Sequence, residues 1–230
     1  MHPKRLLDRT LKVFKYKFHL LIVKKDIYSI LEWHFNLWSD INHVNYSGFM
    51  TALEKLGGQP ALIVETGTSA WGTDSTRLWD TYIRKFGGEL HSVDIGSDAS
   101  NALKGQMSRN TTFIVDDSVH FLQNWHGNHP SLYYLDSWDL DLHDPIQSAE
   151  HGMKELQMIL PFLQKGTLIL IDDTPCDKWF ENFESPNSVY EFKNKFGVFP
   201  GKGAFYEQVL NPRFKYKVLH HEYSLLIEVQ

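Results

Sequence analysis

The sequence predicts an α/β fold: a doubly wound, mostly parallel seven-stranded sheet that ends in an antiparallel hairpin and follows an N-terminal helical extension. Three observations predict it. Short apolar runs alternate with longer helical segments between residues 61 and 171, nearly every run ends in an acid, and the last two strand-like segments are separated only by His220-His221-Glu222. Strands this short and apolar suit a parallel sheet covered on both faces, and parallel pairing requires helical crossovers.

Leu7, Leu11, Phe14, Phe18 and Leu21 recur at spacings of four and three, which places them on one stripe of a basic amphipathic helix. That helix either packs on its own domain or docks on an anionic membrane surface or a protein partner. Residues 27–56 read as helical and aromatic-rich, and Gly57-Gly58 with Pro60 ends the last of these helices. The strand Ala61 to Val64, the helix Thr73 to Phe86 and the strand Leu90 to Val93 then form the first β-α-β unit. Thr112 to Val115 follows, then a helix from Ser118 to about Trp125, Leu132 to Leu135, a helix from about Pro145 to Leu163, and Thr167 to Ile171. Phe214 to Leu219 and Tyr223 to Val229 form the hairpin on the sheet edge. The domain boundary falls at 44/45, with residues 1–44 as the basic helical extension and 45–230 as the α/β domain.

With 42% hydrophobic content, 230 residues can bury one substantial core. The single cysteine, Cys176, allows no internal disulfide and fits a reducing cytoplasm. No apolar run approaches the roughly 20 residues of a spanning helix. The segment after Leu20 to Val23 lacks a small-residue cleavage site, which argues against a secretory signal. Residues 1–25 hold eight Lys/Arg against one Asp, so the net charge of -5 leaves about -12 on residues 26–230. An acidic body of that kind is a poor nucleic-acid surface. Twelve histidines occur without a His-x-x-x-His or Cys-x-x-Cys frame, so zinc is not expected.

In a doubly wound sheet, ligands bind outside the carboxyl ends of the strands. Here those ends are Glu65, Asp94, Asp116-Asp117, Asp136 and Asp172-Asp173. Asp is a common cap or turn residue, but acids at all five ends form a rim that repels phosphate. The first turn, Glu65 to Gly72, also lacks the Gly-x-Gly-x-x-Gly cradle of dinucleotide sites. A ligand with a ribose, an adenine, an ammonium and a sulfonium suits the same acids, and S-adenosylmethionine is such a ligand. Gly201-Lys202-Gly203 lacks Walker spacing and reads as a turn before a helix.

Through Val64-Glu65-Thr66-Gly67-Thr68-Ser69 and Ser92-Val93-Asp94-Ile95 the sequence resembles the class I methyltransferases, over roughly residues 45–230, and their fold is Rossmann-like. The resemblance implies that Glu65, Gly67, Thr68 and Ser69 line the methionine part of the donor, with Ser75 and Thr76 nearby. It further implies Asp94 on the ribose hydroxyls, Asp117 and Ser118 at the adenine edge, and Asp136 at the donor site. Tyr134-Leu135-Asp136-Ser137-Trp138 and Lys165 to Asp173 resemble the metal-dependent O-methyltransferases, of the macrocin type and more distantly the catechol type. That likeness implies Asp136, Asp172 and Asp173 as ligands of Mg²⁺ or another divalent cation, which would lower the pKa of an acceptor hydroxyl.

Two positions depart from those types. Asp139 stands where the catechol type has its lysine base, and Trp138 where the macrocin type has an acid. Asp139, His143 and His151 are therefore the candidate bases, the first two in an acidic insert, Asp139 to Asp144. Trp179, Phe180 and Phe183, after strand five, are candidate walls of an acceptor pocket. The implied activity is O-methylation of a sugar, a glycan or another small molecule with a free hydroxyl. A metal-free or small-phenol enzyme with a His or Asp base, and a non-catalytic donor-binding scaffold, remain as alternatives. A second copy of the chain is a further candidate partner.

Overall fold

The computed structural model describes residues 13–15, 18, 20, 25–69 and 72–230. Helices α1 (Ile27–Trp38) and α2 (Tyr46–Leu56) precede strand β1 (Ala61–Thr66), and α3 (Ser75–Phe86) leads to β2 (Gly88–Asp94). Then come α4 (Asp98–Leu103), β3 (Thr111–Val115), α5 (Ser118–Gln123), β4 (Leu132–Leu135), α6 (Ile146–Ile159) and β5 (Leu168–Ile171). Three further helices, α7 (Asp177–Glu181), α8 (Asn187–Phe196) and α9 (Tyr206–Leu210), lead to β6 (Tyr216–His221) and β7 (Leu225–Val229). The strand order is β3-β2-β1-β4-β5-β7-β6, with β1 to β5 parallel and the hairpin antiparallel. The return strand β7 lies against β5, so β6 is the edge.

Period-two alternation explains why the central strands read as unbroken apolar runs. Leu132, Tyr134, Leu168 and Leu170 point into one core with α1, α2 and α3, while Tyr133, Leu135, Ile169 and Ile171 point into another with α5, α6 and α9. Helix α6 gives way at Ile159 to a 3₁₀ turn, Leu160–Phe162, because Pro161 has no N–H to continue the ladder. Helix α4 is absent from the sequence prediction. Its six residues are too few to display a helical period.

Residues 27–38, assigned from sequence to the extension, contribute Ile30, Leu31 and Phe35 to the first core, so that boundary does not separate packing units. Asp26 caps α1 by accepting from Tyr28 N and Ser29 N. Of the arm stripe, Leu7, Leu11 and Leu21 lie outside the described residues. Phe14 and Phe18 are 69% and 56% exposed, so those two rings do not pack on the domain. Among the described residues no helix is long and apolar enough to cross a membrane.

Beneath the carboxyl ends of the strands, Glu65 organises the first turn. Its buried carboxylate accepts from Ser75 Oγ (2.7 Å), Thr76 Oγ1 (2.7 Å) and Ser92 Oγ (2.6 Å), which ties β1 to α3 and β2. Each hydroxyl has one proton, so Ser92 takes its next bond as an acceptor from Thr68 Oγ1 (2.8 Å), and Thr76 as an acceptor from Ser69 N (2.9 Å). Glu65 therefore sets the positions of Thr68 and Ser69 through two relays. Burial pushes its carboxyl up to about 7, against the three hydroxyls that favour ionisation.

Two outcomes follow from this packing. Leu31→Ala should lower the unfolding free energy by about 2–5 kcal/mol in denaturant titration, because the side chain is fully buried in the main core; a cost near zero would make α1 an appendage. For Glu65, the folded form binds its proton more tightly than the unfolded chain, whose value is 4.5. Its stabilising contribution is complete below that pH and is lost as pH rises through about 7. The unfolding free energy of the apo-protein should thus fall more steeply across this window than that of Glu65→Gln. Equal slopes would show that Glu65 is not a source of the dependence.

Candidate donor and acceptor cleft

The sheet order reverses between β1 and β4, and there the chain opens a cleft of about 670 Å³ above the strand ends. Gly67 makes the opening. Its φ is +82°, its N–H donates to Val93 O (2.8 Å), and a Cβ at this position would collide with the Asp136 carbonyl. Only glycine lets the end of β1 pass this close to the chain leaving β4.

One half of the cleft carries Gly67, Thr68, Ser69 and Gly72 on the first turn, with Asp94, Ile95 and Gly96 after β2. Asp94 Oδ1 accepts from Gly96 N (2.8 Å), which orients the carboxylate at the rim. His34, buried below the turn, donates from Nε2 to Thr73 O at 2.6 Å; burial brings it down to about 4 and keeps the ring neutral. Of the residues expected at or near the methionine part, Glu65, Ser75 and Thr76 are not among those lining the cleft. Their carboxylate and hydroxyls are occupied by one another.

Asp117 and Ser118 line a smaller adjoining cavity of about 90 Å³ with Ile95, Ser137, Trp138 and His151. Asp117 also caps α5 by accepting from His120 N (2.9 Å). His151 Nε2 is 2.9 Å from Ser118 Oγ, and its ring lies 5.4 Å from that of Trp138. It belongs to this side cavity and does not line the main cleft. His143 is exposed, with its backbone N–H on Asp141 Oδ1, and it does not line the cleft either. Of the three candidate bases, only Asp139 does.

The other half gathers Asp136, Asp172 and Asp173, with Asn45 and Tyr223. Asp172 Oδ2 accepts from the Tyr134 hydroxyl (2.8 Å) and the Asn45 amide (2.9 Å). Asn45 is buried, and its Oδ1 has no hydrogen-bond partner among the described residues. Lys202 enters from the loop before α9. Its Nζ bonds to Asp136 Oδ1 and lies 3.0 Å from Asp173 Oδ2. Burial disfavours this ammonium, but Asp136, Asp173 and Asp172 outweigh that and hold Lys202 well above its ordinary value. Burial raises Asp136 and Asp172, with Asp173 adding to the effect at Asp172.

The divalent cation implied for these three acids does not fit them as they stand. A lysine ammonium lies among the carboxylates, and among the described residues no group of three or more His, Cys, Asp or Glu side chains is arranged to hold a metal ion. Lys202, Asn45, Tyr134 and Tyr223 were not among the sequence candidates. The signal that pointed to Lys202 was its pair of glycines. A Cβ on Gly201 would press on the Asp173 carbonyl and Thr174 Cα, and one on Gly203 on the Thr174 side chain, so the loop needs both to lie flat on the turn after β5.

No protein-family model matches the sequence, and no curated protein matches it. Solved structures do. MycE methyltransferase from the mycinamycin biosynthetic pathway, in complex with Mg, SAH and mycinamycin VI, has a TM-score of 0.59 and 14% identity over 89% of this chain and 54% of that one. SAH-bound methyltransferase PaMTH1 of Podospora anserina has a TM-score of 0.53 and 14% identity, covering 89% of this chain and 87% of that one. CalS11, a TDP-rhamnose 3'-O-methyltransferase of calicheamicin biosynthesis, has a TM-score of 0.51 and 13% identity over 99% and 95%. This chain thus spans about half the length of MycE and most of the other two. Identities this low speak for architecture, and with the strand order and the switch-point cleft they establish that the chain has the Rossmann-like fold of the class I methyltransferases.

Proposed function

We propose that the chain transfers a methyl group from S-adenosylmethionine to a hydroxyl of a small-molecule acceptor, with sugars as the favoured class. The observation that carries this reading is a single cleft with a neutral turn and Asp94 at one end and a buried acid and lysine cluster at the other. The ribose diol suits Asp94, the methionine end suits Thr68 and Ser69, and the adenine suits the side cavity at Ile95, Asp117, Ser118 and Trp138. A sulfonium cation is attracted to the acidic half, and no phosphate has to be accommodated.

In the transfer, the acceptor oxygen loses its proton, the new C–O bond forms as the S–C bond breaks, and the electron pair of that bond leaves on sulfur as S-adenosylhomocysteine. The sulfonium is already a good leaving group, so the protein's contribution is alignment and removal of one proton. Asp139, exposed at the cleft wall, is the residue assigned to take it. Tyr223 continues the wall outward to Trp179 (5.5 Å between rings), which stacks on Phe183 (4.6 Å). Such a series of rings suits a sugar face or another planar acceptor. The name of CalS11, a TDP-rhamnose 3'-O-methyltransferase, supports the sugar class. The basic residues 1–25 and the exposed Phe14 and Phe18 suit an anionic surface or partner.

Titration calorimetry should show one S-adenosylmethionine bound per chain, and Asp94→Ala should weaken it about tenfold or more, since a hydrogen bond to a charged group contributes about 1.5–3 kcal/mol. No heat at millimolar ligand would remove the enzyme reading. In a methyl-transfer assay against sugar and catechol acceptors, Asp139→Asn should lower kcat by about 10²-fold or more. Donor binding without transfer to any acceptor would favour the scaffold alternative.

A further inference from the structure

Three carboxylates crowded together, Asp172 buried and Asp136 and Asp173 largely withdrawn from water, demand a cation, because like charges repel one another and forfeit hydration. In this chain the demand is met by a side chain of the chain itself. Lys202 is 2% exposed, and its Nζ is bonded to Asp136 and Asp173, the outer members of the cluster. The third member, Asp172, is satisfied differently, by Tyr134, Asn45 and the Asp173 N–H (2.8 Å).

The lysine is not a surface side chain that has fallen inward. Its own N–H donates to Asp173 O (3.0 Å), Gly203 N donates to Thr174 Oγ1 (2.9 Å), and the flanking glycines lie against residues 173 and 174. From the other side α6 presses on the same loop, since a Cβ on Gly152 would overlap the Lys202 carbonyl. The backbone of this loop is thus fixed from the turn after β5 and from α6 together, and it delivers the ammonium to the acids.

We propose that Lys202 is the resident cation of this cluster, standing where the resemblance to metal-dependent O-methyltransferases implies a divalent metal, so that the chain neither binds nor requires one. The ammonium keeps Asp136 and Asp173 paired and directed at the cleft, and it acts on the acceptor only through them, as a positioning residue. A cation of one charge among three acids leaves the acceptor half more negative than a divalent ion would. That favours an uncharged acceptor beside the sulfonium and disfavours one bearing phosphate near the reacting hydroxyl. The part that concerns turnover rests on the methyl-transfer reading. The part that concerns metal does not.

Mn²⁺ is the probe, read by electron paramagnetic resonance and by calorimetry on the full chain. The wild-type chain should bind no Mn²⁺ at this cluster, whereas Lys202→Ala, which leaves Asp136 and Asp173 uncompensated, should take up one equivalent. Lys202→Arg, which retains the charge, should behave as wild type. Circular dichroism establishes which variants are folded, and the wild-type measurement stands alone if Lys202→Ala is not. One equivalent of Mn²⁺ on the wild-type chain, abolished by Asp172→Asn, would overturn the proposal, as would a folded Lys202→Ala that binds none. If the chain transfers methyl groups, the rate should be unchanged in EDTA, and its loss there with recovery on Mg²⁺ would overturn the proposal independently. Failure of the methyl-transfer reading is recognised separately, by the absence of donor binding.

Discussion

The contact between Lys202 and the acids after β4 and β5 is the constraint on which the acceptor half of the cleft depends. Parallel packing brings the ends of those strands side by side, so Asp136 and Asp172 meet whether or not their charges favour it. Burial then raises both carboxyls, and a buried carboxylate without a partner is costly. One ammonium, two glycines that let its loop lie flat, and a tyrosine hydroxyl shared between Asp136 (3.1 Å) and Asp172 make the arrangement tolerable. Asp173 completes it from a left-handed conformation, φ +41°, that Asp adopts more readily than most residues.

The chain buries its other strand-end acid by a different means. Among the described residues Glu65 has no cation against it; it relies on three hydroxyl donors, so its proton affinity rises and its polar capacity is consumed internally. The two solutions match the two halves of the cleft. Beneath the donor half, a hydroxyl network holds Thr68 and Ser69 without presenting a full charge from below. In the acceptor half, carboxylates face the cleft directly, where the proposed transfer needs a proton removed and a sulfonium held.

The metal expectation meets a lysine that its motif could not announce. The motif Asp136 with Asp172-Asp173 specifies where three carboxylates stand, and the identity of their counter-ion depends on a loop some thirty residues further along. Oxygen ligands and an acid-rich rim are compatible with Mg²⁺ or with a lysine, and only the path of residues 201–203 distinguishes them. Likewise His143 and His151 were chemically suitable bases. Helix α6 directs His151 to Ser118 and the side cavity, and the insert leaves His143 outside the cleft.

The sheet was legible along the chain, because apolar runs bounded by acids and glycines carry a local signal, and with it the positions of Gly67, Asp94 and the acids at the strand ends. The sequence also displayed the hairpin, since two adjacent strand patterns with a short connection have few ways to pair. Helix α1's place in the core, the direction of Glu65 away from the cleft, the merging of Asn45 and Tyr134 into the acid cluster and the cation that neutralises it were decided only by tertiary structure. Each of these joins residues distant in the chain, such as Asn45 with Asp172 or Lys202 with Asp136, and periodicity carries no information about contacts at that range.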